Sequence, residues 1–329
     1  MKRTAWAVLW IVAATAAIPA QTTFRASRTE AGHPDLQGVW NFSTDVPLQR
    51  PAANAAQTVI TRDQAQARRT TFLNAIHAIS VVAPVEAIGF DWLDLKPAVE
   101  DLRSSMISYP ANGRLPALVQ GVRRMPGLDD FIGFLGTLKP GQPPPPALAT
   151  LLAAFTGGKK DSYTDFSLAE RCIFPSDPPF VPVFDDNFVQ IVQSHDHVVL
   201  VNDFQRRLVR IGGAALGEAF RNGSGTSTGR WEGDTLVIET RNFLDERPSL
   251  GGVFTSRDKV VTERMTRTSP RTMEYRATVV DPKSFQDRVD LSYSMALADV
   301  GIHEGTCHEG NYSMRNSLTA ARLADTATR

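Results

Sequence analysis

The sequence predicts a mainly β protein whose strands form an antiparallel barrel or a strongly curved sheet. Two observations support this fold class. Short runs of alternating apolar and polar residues follow one another beyond residue 187, separated by tight turns and without crossover helices. Helical spacing is concentrated instead after the first strand, which predicts a helical insertion between that strand and the others.

The first strand is predicted within residues 35–51, where side chains alternate around Gly38-Val39-Trp40. A helix is then expected from Thr61, because Thr61-Arg-Asp-Gln64 has the form of a capping box and apolar residues follow near helical spacing. Residues 58–165 are expected to form a helical, proline-rich insertion, which decorates one face of the barrel or acts as a lid.

The remaining strands follow the first cysteine. Gly233-Asp234, between apolar runs, predicts a two-residue hairpin turn. Residues 222–229 are rich in Gly, Ser and Thr and predict a loop. Strands are predicted at 188–193, 197–203, 206–213, on both sides of the Gly233-Asp234 turn, and at 258–269, 272–282, 287–297 and 302–314.

The N-terminal residues predict a secretory signal peptide. Lys2 and Arg3 are followed by an apolar run and by Pro19-Ala20, a small-residue cleavage site. We therefore expect a periplasmic or secreted protein with no integral membrane segment after cleavage. The expected organisation is a signal peptide at 1–20, a mobile lead-in at 21–34 and a single β-barrel domain at 35–329.

The charge balance restricts the class of binding partner, and the cysteine content predicts a disulfide. The chain has 35 acidic and 35 basic residues and no basic stripe, which argues against a nucleic-acid partner and leaves a small molecule as the expected one. Its two cysteines, Cys172 and Cys307, are expected to form a disulfide in an oxidising compartment. The alternative is a pair of buried thiols that never meet.

Several motifs carry a family resemblance. At "LQGVWN", "GRWEGDTLVIETRNF", "VTERMTR" and "CHEGNYSMRNSL" the chain resembles a family of exported bacterial proteins of the lipocalin-like, calycin type. Gly38-Val39-Trp40 matches the Gly-X-Trp signature at the start of the first calycin strand. The resemblance covers 35–51 and 168–318 and implies a lipocalin-like fold and export, without a named reaction. The chain departs from the family at "DFQRRLVRI", where relatives carry His-Asp-Ala-Arg-like residues.

The segment "IHEGTCHEGNYSM", residues 302–314, contains the candidate catalytic residues. His308 is a candidate general acid or base, with Glu304 or Glu309 orienting it and Tyr312 or Arg171 holding a polar substrate group. If the segment is a strand, Glu304 and His308 project from one face and Glu309 from the other. The alternative is a structural hydrogen-bond cluster that seals one end of the barrel, with Tyr312 buried.

Five further residues are candidates for ligand binding. Arg230 next to Trp231 also suggests a barrel-closing contact, with the guanidinium stacked over the indole. The candidates are Arg171, Trp40, Asn311, Arg230 and Trp231.

No metal or cofactor is expected. His303 and His308 are five residues apart, the wrong spacing for a helical His-Glu-X-X-His site, and glycines disfavour a helix there. His195 and His197 either chelate from one strand face or occupy a turn. No nucleotide fingerprint or nucleophile elbow occurs in the chain.

These observations leave three functions open. The first is an exported lipocalin-like protein that binds a small, mostly apolar molecule in a barrel cavity. The second is a lyase, isomerase or hydrolase that uses a His and carboxylate acid–base site in that cavity. The third is a structural envelope protein without a cavity. The fold alone does not separate enzyme from binding protein.

Overall fold

The structure of the protein is a computed structural model. The structure describes residues 24–82, 97, 99–125, 129–130, 133, 160–166, 171–173, 178–183, 187–203, 206–244, 247–305, 307, 309 and 311–327. The predicted signal peptide and most of the proline-rich part of the predicted insertion lie outside these residues.

Twelve strands and two α-helices occur in the described ranges. In chain order, the strands are β1 Gly38–Asn41, β2 Ile107–Tyr109, β3 Phe188–Gln193, β4 His197–Val201, β5 Arg206–Ile211, β6 Thr226–Glu232, β7 Thr235–Arg241, β8 Arg247–Pro248, β9 Phe254–Thr255, β10 Val260–Ser269, β11 Thr272–Val280 and β12 Val289–Ala298. The helices are α1 Arg62–Val82 and α2 Ser313–Ala327.

Nine of these strands close into a barrel, in the order β1-β3-β4-β5-β6-β7-β10-β11-β12. Closure depends on β1, which pairs with β3 on one side and with β12 on the other. Gly38 permits this double pairing: its φ is +127°, and a Cβ atom there would lie 2.7 Å from Leu297 Cδ1. The predicted mainly β barrel is therefore confirmed.

The barrel is mixed, which corrects the expectation of a wholly antiparallel sheet. Strands β5 and β6 run parallel, with Val209 opposite Ser227. Parallel neighbours need a connection that returns along the strands, and residues 212–225 form that connection. This stretch is rich in Gly and Ala and predicts a loop without indicating the direction of the next strand, which the sheet decides. The predicted loop at 222–229 is shorter than expected, because β6 already begins at Thr226.

Two local predictions are confirmed. The Gly233-Asp234 turn joins β6 to β7, with Glu232 opposite Thr235. The capping box begins α1: Gln64 N–H donates to Thr61 Oγ1 at 3.2 Å, and Thr61 N–H donates to Gln64 Oε1 at 2.9 Å. Of the helices in the described part of the chain, neither has the length and apolar character needed to cross a membrane.

Residues 24–37 cover one end of the barrel, which we call the closed end. Leu36 is fully buried, and its carbonyl accepts a hydrogen bond from Trp40 Nε1 at 2.9 Å. The Arg267 guanidinium lies 5.5 Å from the Trp40 ring and donates to the Asp35 carbonyl. The loops at the opposite end, the mouth, include the segment after β1 and the segment before β3.

The segment 302–314 is not a strand, which corrects a second expectation. Its described residues before Ser313 have no strand pairing, and α2 begins at Ser313. A closed barrel leaves no free edge beside β12, because β1 and β11 already occupy both sides of that strand. Glycines at 301, 305 and 310 further weaken any strand there. The predicted division of side chains between two strand faces therefore does not apply.

Candidate functional site

A cavity of about 810 Å³ lies at the mouth of the barrel. Its described lining residues all lie outside the nine barrel strands, so it is a space above the barrel rather than between its walls. We call it the mouth cavity. Its apolar wall includes Val46, Leu48, Ile60, Phe72, Met106 and Val181, and its polar wall includes Asp45, Gln64, Arg68, Arg124, Asp129 and Asp130.

Helix α1 forms one wall of the mouth cavity, and Arg68 anchors it. The Arg68 Nε donates to Asp45 Oδ2 at 3.2 Å. Its two terminal nitrogens donate to the carbonyls of Asp101 and Arg103, each at 2.6 Å. The cation is therefore fully engaged in holding the helix against the segments before and after it, with its charge balanced by a buried carboxylate.

A second polar group of the mouth cavity includes Asp129 and Asp130. Asp130 forms an ion pair with Arg124 at 2.5 Å. Its neighbour Asp129 accepts the backbone N–H groups of Leu48 and Gln49 at 3.2 and 3.0 Å. Burial raises the pKa of the Asp129 carboxyl, because removal from water disfavours the charged form, and the two backbone hydrogen bonds only partly oppose this.

The floor of the mouth cavity is the segment 178–183. Val181, Pro182 and Val183 line the cavity, whereas the Phe180 ring packs inward against Phe42 and Tyr275, with ring centroids 5.3 and 5.9 Å apart. The segment therefore separates the mouth cavity from the interior of the barrel.

Two tyrosines inside the barrel hold this floor in place. Phe180 N–H donates to the Tyr275 hydroxyl at 2.9 Å, and the Tyr293 hydroxyl donates to the Phe180 carbonyl at 2.9 Å. Both tyrosines are fully buried, and burial raises the pKa of each hydroxyl well above its usual value. Both hydroxyls therefore stay protonated at neutral pH.

A buried ion pair lies beneath these tyrosines. Arg207 on β5 and Glu263 on β10 form a bidentate pair, in which Arg207 Nη2 donates to Glu263 Oε1 at 2.9 Å and Nη1 donates to Oε2. The Tyr275 hydroxyl donates to Glu263 Oε1 at 2.8 Å, and Arg207 also donates to Thr240. Each charge is paired and hydrogen-bonded, as burial in the barrel requires.

The hydrogen bond from Tyr293 to the floor has a testable contribution. We expect Tyr293→Phe to lower the free energy of unfolding by about 1 kcal/mol, because it leaves the buried Phe180 carbonyl without this donor. Urea denaturation measures the change. Tyr109→Phe is the control, since that hydroxyl bonds Asp287 at an exposed site. Equal stability of the Tyr293 variant and the wild type contradicts the assignment.

The predicted ligand-binding residues on the barrel strands lie away from the mouth cavity. Trp40 is buried under Arg267 at the closed end. Arg230 donates to Glu232, whereas the Trp231 ring stacks on His33 with centroids 5.2 Å apart. The expected stacking of Arg230 on Trp231 is therefore replaced by two other contacts, with His33 on Trp231 and Arg267 on Trp40.

The other predicted site residues lie near the disulfide. Cys172 and Cys307 are bonded, which confirms the predicted pairing. Asn311 Nδ2 lies 3.0 Å from Cys172 Sγ, and Arg171 is half-buried beside it in the chain. Glu304, Glu309 and Tyr312 are exposed and do not line the mouth cavity. His308 lies outside the described residues, so its acid–base role stays a prediction.

Histidines do not assemble a metal site in the described ranges. No group of three or more His, Cys, Asp or Glu side chains there is placed to hold a metal ion. His195 lies in the turn between β3 and β4, and His197 Nδ1 contacts Asp196 Oδ1 at 2.8 Å. The turn interpretation holds for His195, whereas His197 is the first residue of β4.

Sequence reasoning missed the residues at the floor and beneath it. Arg207 is in phase with Val209 on β5, and Glu263 is in phase with Val261 and Met265 on β10. A charged side chain on the apolar face of a strand was the available signal, since such a position requires a partner of opposite charge. The identity of each partner required the order of strands around the barrel.

No family model, curated protein or solved structure matches this chain. The site is therefore interpreted from its own geometry.

Proposed function

We propose that this chain is an exported, lipocalin-like protein that holds a small, mostly apolar molecule in the mouth cavity. The single observation behind this proposal is a cavity of about 810 Å³ with a largely apolar wall, the size and character of a small-molecule site. The disulfide and the predicted signal peptide support export, since disulfides persist in oxidising compartments.

The position of the cavity differs from that expected for a ligand inside the barrel. Large side chains, including Trp40, Tyr275, Tyr293 and Met265, fill the space between the strands. The floor segment then closes the barrel below the mouth cavity. A ligand in the mouth cavity would contact α1 and the segment after β1 rather than the barrel strands.

Blocking the mouth cavity tests the proposal. Ala67 lies on α1 and lines the cavity, so Ala67→Trp places an indole into the ligand space. We expect this change to weaken binding of the neutral fluorescent probe N-phenyl-1-naphthylamine at least tenfold, because the indole and the probe compete for one volume. Fluorescence titration measures the affinity.

Thr70→Trp is the matched control, because Thr70 is exposed on the same helix and does not line the cavity. Its affinity should equal that of the wild type. The proposal fails if the wild type does not bind the probe, or if both tryptophan variants bind it equally well. Native mass spectrometry of the protein from its own host then identifies a retained molecule directly.

A further inference from the structure

One carboxylate on the mouth cavity wall, that of Asp129, has no ion-pair partner among the described residues. Arg68 and Arg69 are both paired with Asp45, and Arg124 is paired with Asp130. Asp129 has no cation within ion-pair distance in the described part of the chain, and its partners are the amides of Leu48 and Gln49. Asp129 therefore lines a mostly apolar space without an ion-pair partner among the described residues.

The Asp129 carboxylate has acceptor capacity that its partners among the described residues do not fill. The two oxygens of a carboxylate offer about four lone-pair sites, and the backbone amides use two of them. Partial burial disfavours the charged form of the Asp129 carboxyl and raises its pKa. A positively charged donor would supply both the missing charge and the missing hydrogen bonds.

We propose that the mouth cavity selects an apolar molecule carrying one protonated amine, with the ammonium group bound by Asp129. This inference rests on the proposed function and adds the chemical class of the ligand. The apolar body of the molecule would pack against Val46, Leu48 and Phe72. An acidic ligand would bind more weakly, since its carboxylate would face a like charge at Asp129.

Three molecules that share one body and differ in their polar group test this selectivity. 1-Adamantanamine, 1-adamantanol and adamantane-1-carboxylate have the same apolar cage with a positive, neutral or negative substituent at pH 7. Isothermal titration calorimetry should show the amine binding at least about tenfold more tightly than the alcohol, and the carboxylate binding most weakly. We expect Asp129→Asn to bring the amine and alcohol affinities together.

Glu30→Gln is the control for net charge, because Glu30 is exposed in the segment that covers the closed end. It should keep the preference for the amine. Ala67→Lys is the second variant, which adds a cation to the cavity wall and should move the preference towards the carboxylate. This variant leaves the Asp129 hydrogen bonds intact, so it tests the charge preference of the cavity even if Asp129→Asn does not fold.

The outcomes separate this inference from the proposed function. If the alcohol binds the wild type as tightly as the amine, the cavity binds apolar molecules without the proposed selectivity and the inference is overturned. An amine preference that survives both Asp129→Asn and Ala67→Lys overturns it as well. If none of the three molecules and no neutral probe binds, the proposed function itself has failed.

Discussion

Replacing Glu263 with alanine is expected to lower the free energy of unfolding by about 3–5 kcal/mol. The change leaves Arg207 charged and buried in the barrel interior, without the carboxylate that accepts both of its terminal nitrogens. It also removes the acceptor of the Tyr275 hydroxyl, which contacts the Phe180 backbone. The substitution therefore weakens both the ion pair and the hydrogen bonds that hold the floor of the mouth cavity.

Urea denaturation followed by tryptophan fluorescence measures this loss. Glu232→Ala is the matched control, because Glu232 pairs with Arg230 and Arg264 at an exposed site, where water replaces the lost contacts and little change is expected. The double variant Arg207→Met/Glu263→Leu should recover most of the lost stability, since it removes both charges together. If the single variant Glu263→Ala is as stable as Glu232→Ala, the pair is not buried as described.

Removing the disulfide should have an effect of similar size. The bridge joins residues separated by 135 positions, and in the chain-entropy model a loop of that length restricts the unfolded chain by about 5 kcal/mol. The double variant Cys172→Ser/Cys307→Ser should therefore unfold at a much lower urea concentration than the oxidised wild type. Because both cysteines lie outside the strands, the barrel pairing itself should persist in the folded variant.

Reductant provides the control for this second experiment. Dithiothreitol should destabilise the wild type towards the midpoint of the double serine variant, and it should leave that variant unchanged. A wild type whose unfolding midpoint does not respond to reductant would falsify a stabilising role of the bridge. The far-UV circular dichroism of the folded variant reports whether the β structure is retained.

Sequence patterns predicted much of the barrel because strand alternation and turn chemistry are local. The period of two along β10, β11 and β12 appears directly in the residue order. The two-residue turn at Gly233-Asp234 requires residues that accept unusual backbone angles, so the residue types at these two positions predict it. The capping box at Thr61 satisfies backbone donors within four residues and needs no distant partner.

The candidate site was harder to predict because its parts come from distant places in the chain. The motif-rich segment 302–314 attracted the catalytic assignment, yet its described acidic residues are exposed and lie away from the mouth cavity. The cavity wall combines α1, the segment after β1 and residues 181–183, none of which carries a catalytic or ligand-binding motif. Asp129 was not predicted as a site residue, because two adjacent aspartates form no distinctive sequence pattern until their surroundings are known.

Most strand positions and the cysteine pair follow from the order of residues alone, because each rests on a local pattern or on a count of two thiols. The parallel pairing of β5 with β6, the Arg207–Glu263 pair and the location of the mouth cavity depend on which strands and loops become neighbours. Neighbours in space are chosen by closure of the barrel as a whole. The partner of a buried charge and the residues that line a cavity are therefore fixed only after the sheet has closed.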